Sequence, residues 1–102
     1  MLTAVEKAME KRAVPNMDRI LGNIDQARKG LAWCIENGLS AYTVDVEGSR
    51  PKILVETSAK LVRFVEDGLA AEIGSQHEGG VHSRVMCMVA HGCQVMWVER
   101  GH

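Results

Sequence analysis

The chain has 102 residues, 46% of them apolar and 25% charged, with twelve Lys and Arg against thirteen Asp and Glu. This composition excludes the low-hydrophobicity, high-charge regime of disordered chains, and the length fits one domain spanning residues 1–102. The near-zero net charge, balanced on both sides of Pro51, excludes the basic excess of a typical duplex-binding protein and the acidic excess of a DNA mimic.

Met1 to Ala8 carries Glu6 and Lys7 where a secretory signal would need a basic and then an apolar run. Cys34, Cys87 and Cys93 make an odd number of thiols, which fits reduced cysteines better than a disulfide framework. A cytoplasmic location and no membrane partner are therefore expected. The most apolar window, Val81 to Val98, is interrupted by His82, Arg84, His91, Gly92 and Gln94 and is expected to be core rather than a membrane span.

Thr3 and Glu6 match a capping box for a short first helix ending at Pro15. Asn16 then caps a second, long amphipathic helix with Met17, Ile20, Leu21, Ile24, Ala27, Leu31, Cys34 and Ile35 on its apolar face, stopped by Gly38. Ala41–Glu47 and Lys52–Glu56 read as a β-hairpin around Gly48-Ser49-Arg50-Pro51, with Tyr42, Val44 and Val46 on one face of the first strand. Pro51 belongs at the start of the second strand or on an edge. Thr57 or Ser58 caps a further helix carrying Leu61, Val62, Phe64 and Val65 and stopped by Gly68; Leu69–Gly74 is a strand and Ser75–Gly80 a loop.

Val85 to Ala90 is apolar at every position, so periodicity alone does not separate two readings. The preferred one is a helix from Val81 to His91 followed by a strand from Cys93 to Glu99. The rival is a hairpin turning at His91-Gly92. The expected class is α+β: two N-terminal helices, a β-hairpin, and a small mixed sheet with one or two further helices.

His77, His82, Cys87, His91 and Cys93 are weak zinc candidates, because imidazole and thiolate suit that ion but their spacing matches no standard zinc pattern. Met86, Met88 and Met96 could serve cuprous copper, although methionines in an apolar run usually fill gaps. No metal and no cofactor is therefore expected. The loop from Gly74 to Gly80 lies where a phosphate could be cradled, but it lacks the Gly-Lys-Ser/Thr of a P-loop, which leaves ligand binding there open. The three thiols lie in apolar surroundings, and neither a nucleophile elbow nor a His-Glu-x-x-His pair occurs, so no catalytic residue is assigned.

Trp97 falls mid-strand and is expected to be buried, whereas Trp33 lies off the centre of the long helix's stripe and is a boundary or interface residue. With Ile20, Ile24 and Leu31 it forms the candidate interface, and the near-heptad pattern along that helix makes contact between two copies one form of it. Arg12, Arg19, Arg28, Lys29, Arg50 and Lys52 are the candidates for a nucleic-acid surface if they gather on one side.

Pro51-Lys52-Ile53-Leu54-Val55-Glu56-Thr57, Gly68-Leu69-Ala70-Ala71-Glu72-Ile73-Gly74 and Gly92-Cys93-Gln94-Val95-Met96-Trp97-Val98-Glu99-Arg100 together resemble small uncharacterised proteins encoded in prophages. The resemblance covers about half of the chain and implies an accessory protein that binds a host or phage macromolecule. The functional expectation is a non-enzymatic protein–protein interaction module, such as an accessory or inhibitor protein of a phage or mobile element. The alternatives are a nucleic-acid-binding regulator and a small-molecule or nucleotide-binding protein.

Overall fold

The computed structural model describes residues 4–101, with side chains from Asn16 onward. Helix α1 (Ala4–Glu36) is followed by strands β1 (Ala41–Asp45) and β2 (Lys52–Val55), a 3-10 turn (Ala59–Leu61) running into short helix α2 (Val62–Glu66), and strands β3 (Ala70–Glu78), β4 (Val81–Ala90) and β5 (Cys93–Arg100). The strands form one sheet in the order β1-β2-β5-β4-β3, in which β2 and β5 are parallel and the other neighbours antiparallel.

The class is mixed α and β, but the expected pair of N-terminal helices is corrected to one helix, Ala4–Glu36. Pro15 does not divide it. Proline's fixed φ is itself helical, and its cost is a missing N–H bond and local crowding, which a helix continuing on both sides can absorb as a kink. Thr3 of the expected capping box lies outside the described residues. At the other end Gly38 takes φ +69°, and the amide of Leu39 reaches back to the carbonyl of Cys34 at 2.9 Å, closing the helix as its sequence predicts.

The preferred helix over Val81–His91 is also corrected. That segment is β4, hydrogen-bonded on both sides, and the rival hairpin is what forms. His91 at φ +51° and Gly92 at φ +75° supply the two left-handed residues of a two-residue turn whose twist matches the flanking strands. Residues 75–78, expected in a loop, extend β3 along β4, and only Gly79 and Gly80 turn. An irregularity between Ala41 and Thr43 separates Tyr42 from Val44. Tyr42 lines a hollow with Val98 and Arg100, whereas Val44 and Val46 line another with Ile24 and Leu31. A one-residue shift in a period-two element accounts for that split.

One face of the sheet carries the core: Ile53 and Val55 from β2, Met86, Met88 and Ala90 from β4, and Cys93, Val95 and Trp97 from β5. The helical layer closes it with Ala27 and Cys34 of α1 and, after the chain turns, Leu39, Leu61 and Phe64. α1 lies over β1, β2 and β5, and α2 over β3. Its contact stripe, Asn23, Ala27, Gly30 and Cys34, is made of small side chains, which brings the helix close to the sheet. Asn23 donates to the carbonyls of Val46 and Gly48 at 2.9 and 2.8 Å, and Gln26 donates to the carbonyl of His91 at 2.9 Å. One turn of α1 thus fixes both the β1–β2 connection and the β4–β5 turn.

Candidate interaction surface

Residues paired across a sheet share a face, so the register defines the side turned away from α1. Leu54 pairs with Met96, Met96 with Cys87, Val98 with Val85 and Cys87 with Ala71, while Val89 lies opposite Gln94. These six apolar side chains from β2, β5 and β4, with Ala71 of β3, form one continuous patch. Among the described residues no helix or loop covers it: Val89 is 55% and Val98 36% exposed, while Leu54, Val85, Cys87 and Met96 are half-buried. Asp45, Lys52 and Gln94 border one end, and Ser83, Gln76 and Arg100 the other. An apolar centre with a polar rim is the usual anatomy of a protein interface.

The expectation that Val81–Val98 is core throughout is therefore half corrected, since alternate residues point to opposite faces. Met86, Met88, Val95 and Trp97 are filling, whereas Val85, Cys87, Met96 and Val98 look outward. The sequence does carry a signal for this patch. Sheets with one solvated face alternate apolar and polar residues, and a run that is apolar at every position belongs to strands covered on both faces.

The named interface candidates divide between the two flanks of α1. Ile20, Ile24 and Leu31 lie on the flank toward β1, where Ile24 and Leu31 help line a hollow with Val44 and Val46. Trp33 lies on the other flank, half-buried, its ring 5.6 Å from that of Phe64. The nucleic-acid candidates do not gather. Arg19 and Arg28 are nine residues apart, half a turn out of phase. Lys29 is exposed on α1, Arg28 faces Asp25 at 3.9 Å, Arg50 lies in the β1–β2 connection, and Lys52 is on the open sheet face. The side chain of Arg12 lies outside the described residues.

The metal candidates are likewise dispersed. His77 and His82 are opposite each other on the β3–β4 hairpin with stacked rings 4.3 Å apart, His91 is in the β4–β5 turn, Cys87 is on the open face and Cys93 is in the core. Among the described residues, no three or more His, Cys, Asp or Glu are grouped to hold an ion. Met86 and Met88 are buried, while Met96 belongs to the opposite face.

Burial raises the pKa of Cys34, Cys87 and Cys93 above that of a free thiol; proximity to Cys93 adds to the effect at Cys34, and the backbone of Gly30 partly opposes it at Cys93. All three are held as thiols, the poor nucleophilic form. The Sγ of Cys93 donates to the carbonyl of Gln26 at 3.3 Å.

Another concave feature, about 410 Å³, lies between the α2 segment and the ends of β4 and β5, lined by Thr57, Val62, Glu66, Arg84, Glu99 and Arg100 among others. Two of its four charged residues are engaged with each other, and Glu66 and Arg100 line its exposed side. Arg84 donates through Nε and Nη2 to one oxygen of Glu99, each at 2.7 Å, and the indole N–H of Trp97 donates to the other oxygen at 3.2 Å. Among the described residues no buried side-chain polar atom lacks a partner, so the buried wall of this hollow presents no orphaned group. Also among the described residues, no helix is long and apolar enough to cross a membrane.

Residues 5–100 match the model of a protein family described as "Uncharacterised protein". No curated protein and no solved structure matches the chain.

Proposed function

The chain belongs to this family of uncharacterised proteins, and from its own geometry we propose that it is a non-enzymatic protein–protein interaction module that docks through the open face of its sheet. The observation that carries the reading is the strand pair β4–β5, apolar on both faces but covered on one. Exposed apolar area of this kind costs free energy in water, and burial against another protein recovers it. The balanced charge, the scattering of the basic residues over several sides and the engaged Arg84–Glu99 pair favour this reading over nucleic-acid or small-ligand binding. The resemblance to prophage-encoded proteins is consistent with a cytoplasmic accessory role in a mobile element, which is part of the same proposal.

The test is a comparison of tagged wild type with Val85→Glu and Met96→Glu, purified from cells under identical conditions. Both substitutions lie on the open face, so the expected result is a retained fold with loss of the protein, own copies included, that accompanies the wild type. Equal size and composition of wild-type and variant preparations would refute the reading.

A further inference from the structure

Resting on that reading of the open face, we infer that its occupant is a second copy of this chain, packed sheet to sheet about a two-fold axis into an α/β/β/α sandwich. Area is the first argument. Five strands about 4.8 Å apart, over the roughly seven residues from Ser83 to Val89, give a flat footprint of about 24 by 20 Å, or about 500 Å². Counted on both copies, this reaches the ~1,000 Å² that separates specific interfaces from incidental contacts. No further domain is needed to supply the cover.

Shape is the second argument. Two sheets of the same hand of twist pack face to face about 10 Å apart with their strands nearly aligned, and two copies of one sheet meet that condition by construction. A two-fold axis also makes the patch its own partner, apolar centre on apolar centre and rim on rim. The centre here, Cys87 and Met96 flanked by Leu54, Val85 and Val98, has no charge, and flexible thioether and aliphatic side chains can interdigitate. Charge is the third. The chain carries a formal net charge of −1, so two copies approach with little repulsion, and the rim holds the acids Asp45 and Glu56 together with the bases Lys52 and Arg100.

Other surfaces could join copies, and two of them are tested beside the sheet face: the exposed flank of α1 at Met17, Leu21 and Ile24, and the free edge of β3 at Ile73. Sedimentation equilibrium of the full chain between about 1 and 100 μM, with Val85→Glu, Met96→Glu, the milder Met96→Gln, Leu21→Glu and Ile73→Lys beside the wild type, separates the three. Circular dichroism on each variant establishes that it is folded.

The expected result is a wild type of twice the 11.2 kDa chain mass that stays dimeric with Leu21→Glu and Ile73→Lys. Val85→Glu and Met96→Glu should raise the dissociation constant at least about 100-fold, because each copy would bury an unpaired carboxylate, and Met96→Gln should raise it less. Alkylation of Cys87 should become faster in the dissociated variants, since the dimer covers that thiol. A dimer that resists both glutamate variants, or yields to Leu21→Glu or Ile73→Lys instead, overturns the inference. A wild type that is monomeric throughout overturns it as well. In that case the interaction reading survives if Val85→Glu abolishes co-purification of another protein, and falls with it if the variant changes nothing.

Discussion

Two glycines of the same helix should respond differently to alanine. At Gly30 an added Cβ would stand 2.7 Å from both the Sγ of Cys93 and the Cδ1 of Ile53, closer than such atoms are found, and both neighbours are 0% exposed. At Gly22 nothing lies within 4 Å. Replacing a helical glycine by alanine gains about 1 kcal/mol of helix propensity at either position. Forcing a methyl group into a packed core costs roughly 1–3 kcal/mol, and α1 cannot lift from the sheet without disturbing the Asn23 and Gln26 anchors. Gly22→Ala is therefore expected to stabilise by up to about 1 kcal/mol, and Gly30→Ala to be neutral or to destabilise by up to ~2 kcal/mol. Their difference, about 1–3 kcal/mol, isolates the steric cost because the propensity gain is common to both. Urea unfolding at fixed protein concentration measures it, with a parallel shift in melting temperature of roughly 4–8 °C per kcal/mol. Equal stabilisation by the two substitutions would refute the close approach of α1 to the start of β5.

Other expectations rest on single groups. Asn23→Ala leaves the Val46 and Gly48 carbonyls without their donor and should cost about 1–3 kcal/mol by denaturant titration, with Asn23→Asp no better because a carboxylate donates nothing. His91→Asn should be neutral or slightly stabilising and His91→Val should lose about 1–2 kcal/mol, since a β-branched residue is strained at φ +51°. The raised thiol pKa values mean that the folded chain holds these protons more tightly than the unfolded one. Stability from this source is therefore fully present below the free-thiol pKa of about 8.5 and declines as pH rises above it. Chemical denaturation from pH 7 to about 9.5 should show that decline, and Cys34→Ala/Cys93→Ala should flatten it.

Local chemistry made several elements legible in the sequence. Gly38 marks the end of α1, Pro51 the entry to β2 and Gly68 the end of α2, because each relies on the backbone of one residue or on its lack of a side chain. Trp97 is buried where its strand position places it. The span of α1 across Pro15 was not legible, since a proline's local rules allow both a break and a kink and only the continuation on either side decides. Nor was the fate of Val81–Ala90, whose unbroken apolar run satisfies a buried helix and a buried strand equally until β3 and β5 are there to bond it.

The open face shows the division most clearly. Composition and the apolar run determined that Val85, Cys87, Met96 and Val98 would seek cover, because greasy side chains do so in any fold. Which of them the chain itself covers depends on long-range register, through the pairing of Met86 with Trp97 and of Cys87 with Met96, and on α1 closing only one side. That is a property of contacts distant in sequence, and only the tertiary structure supplies it.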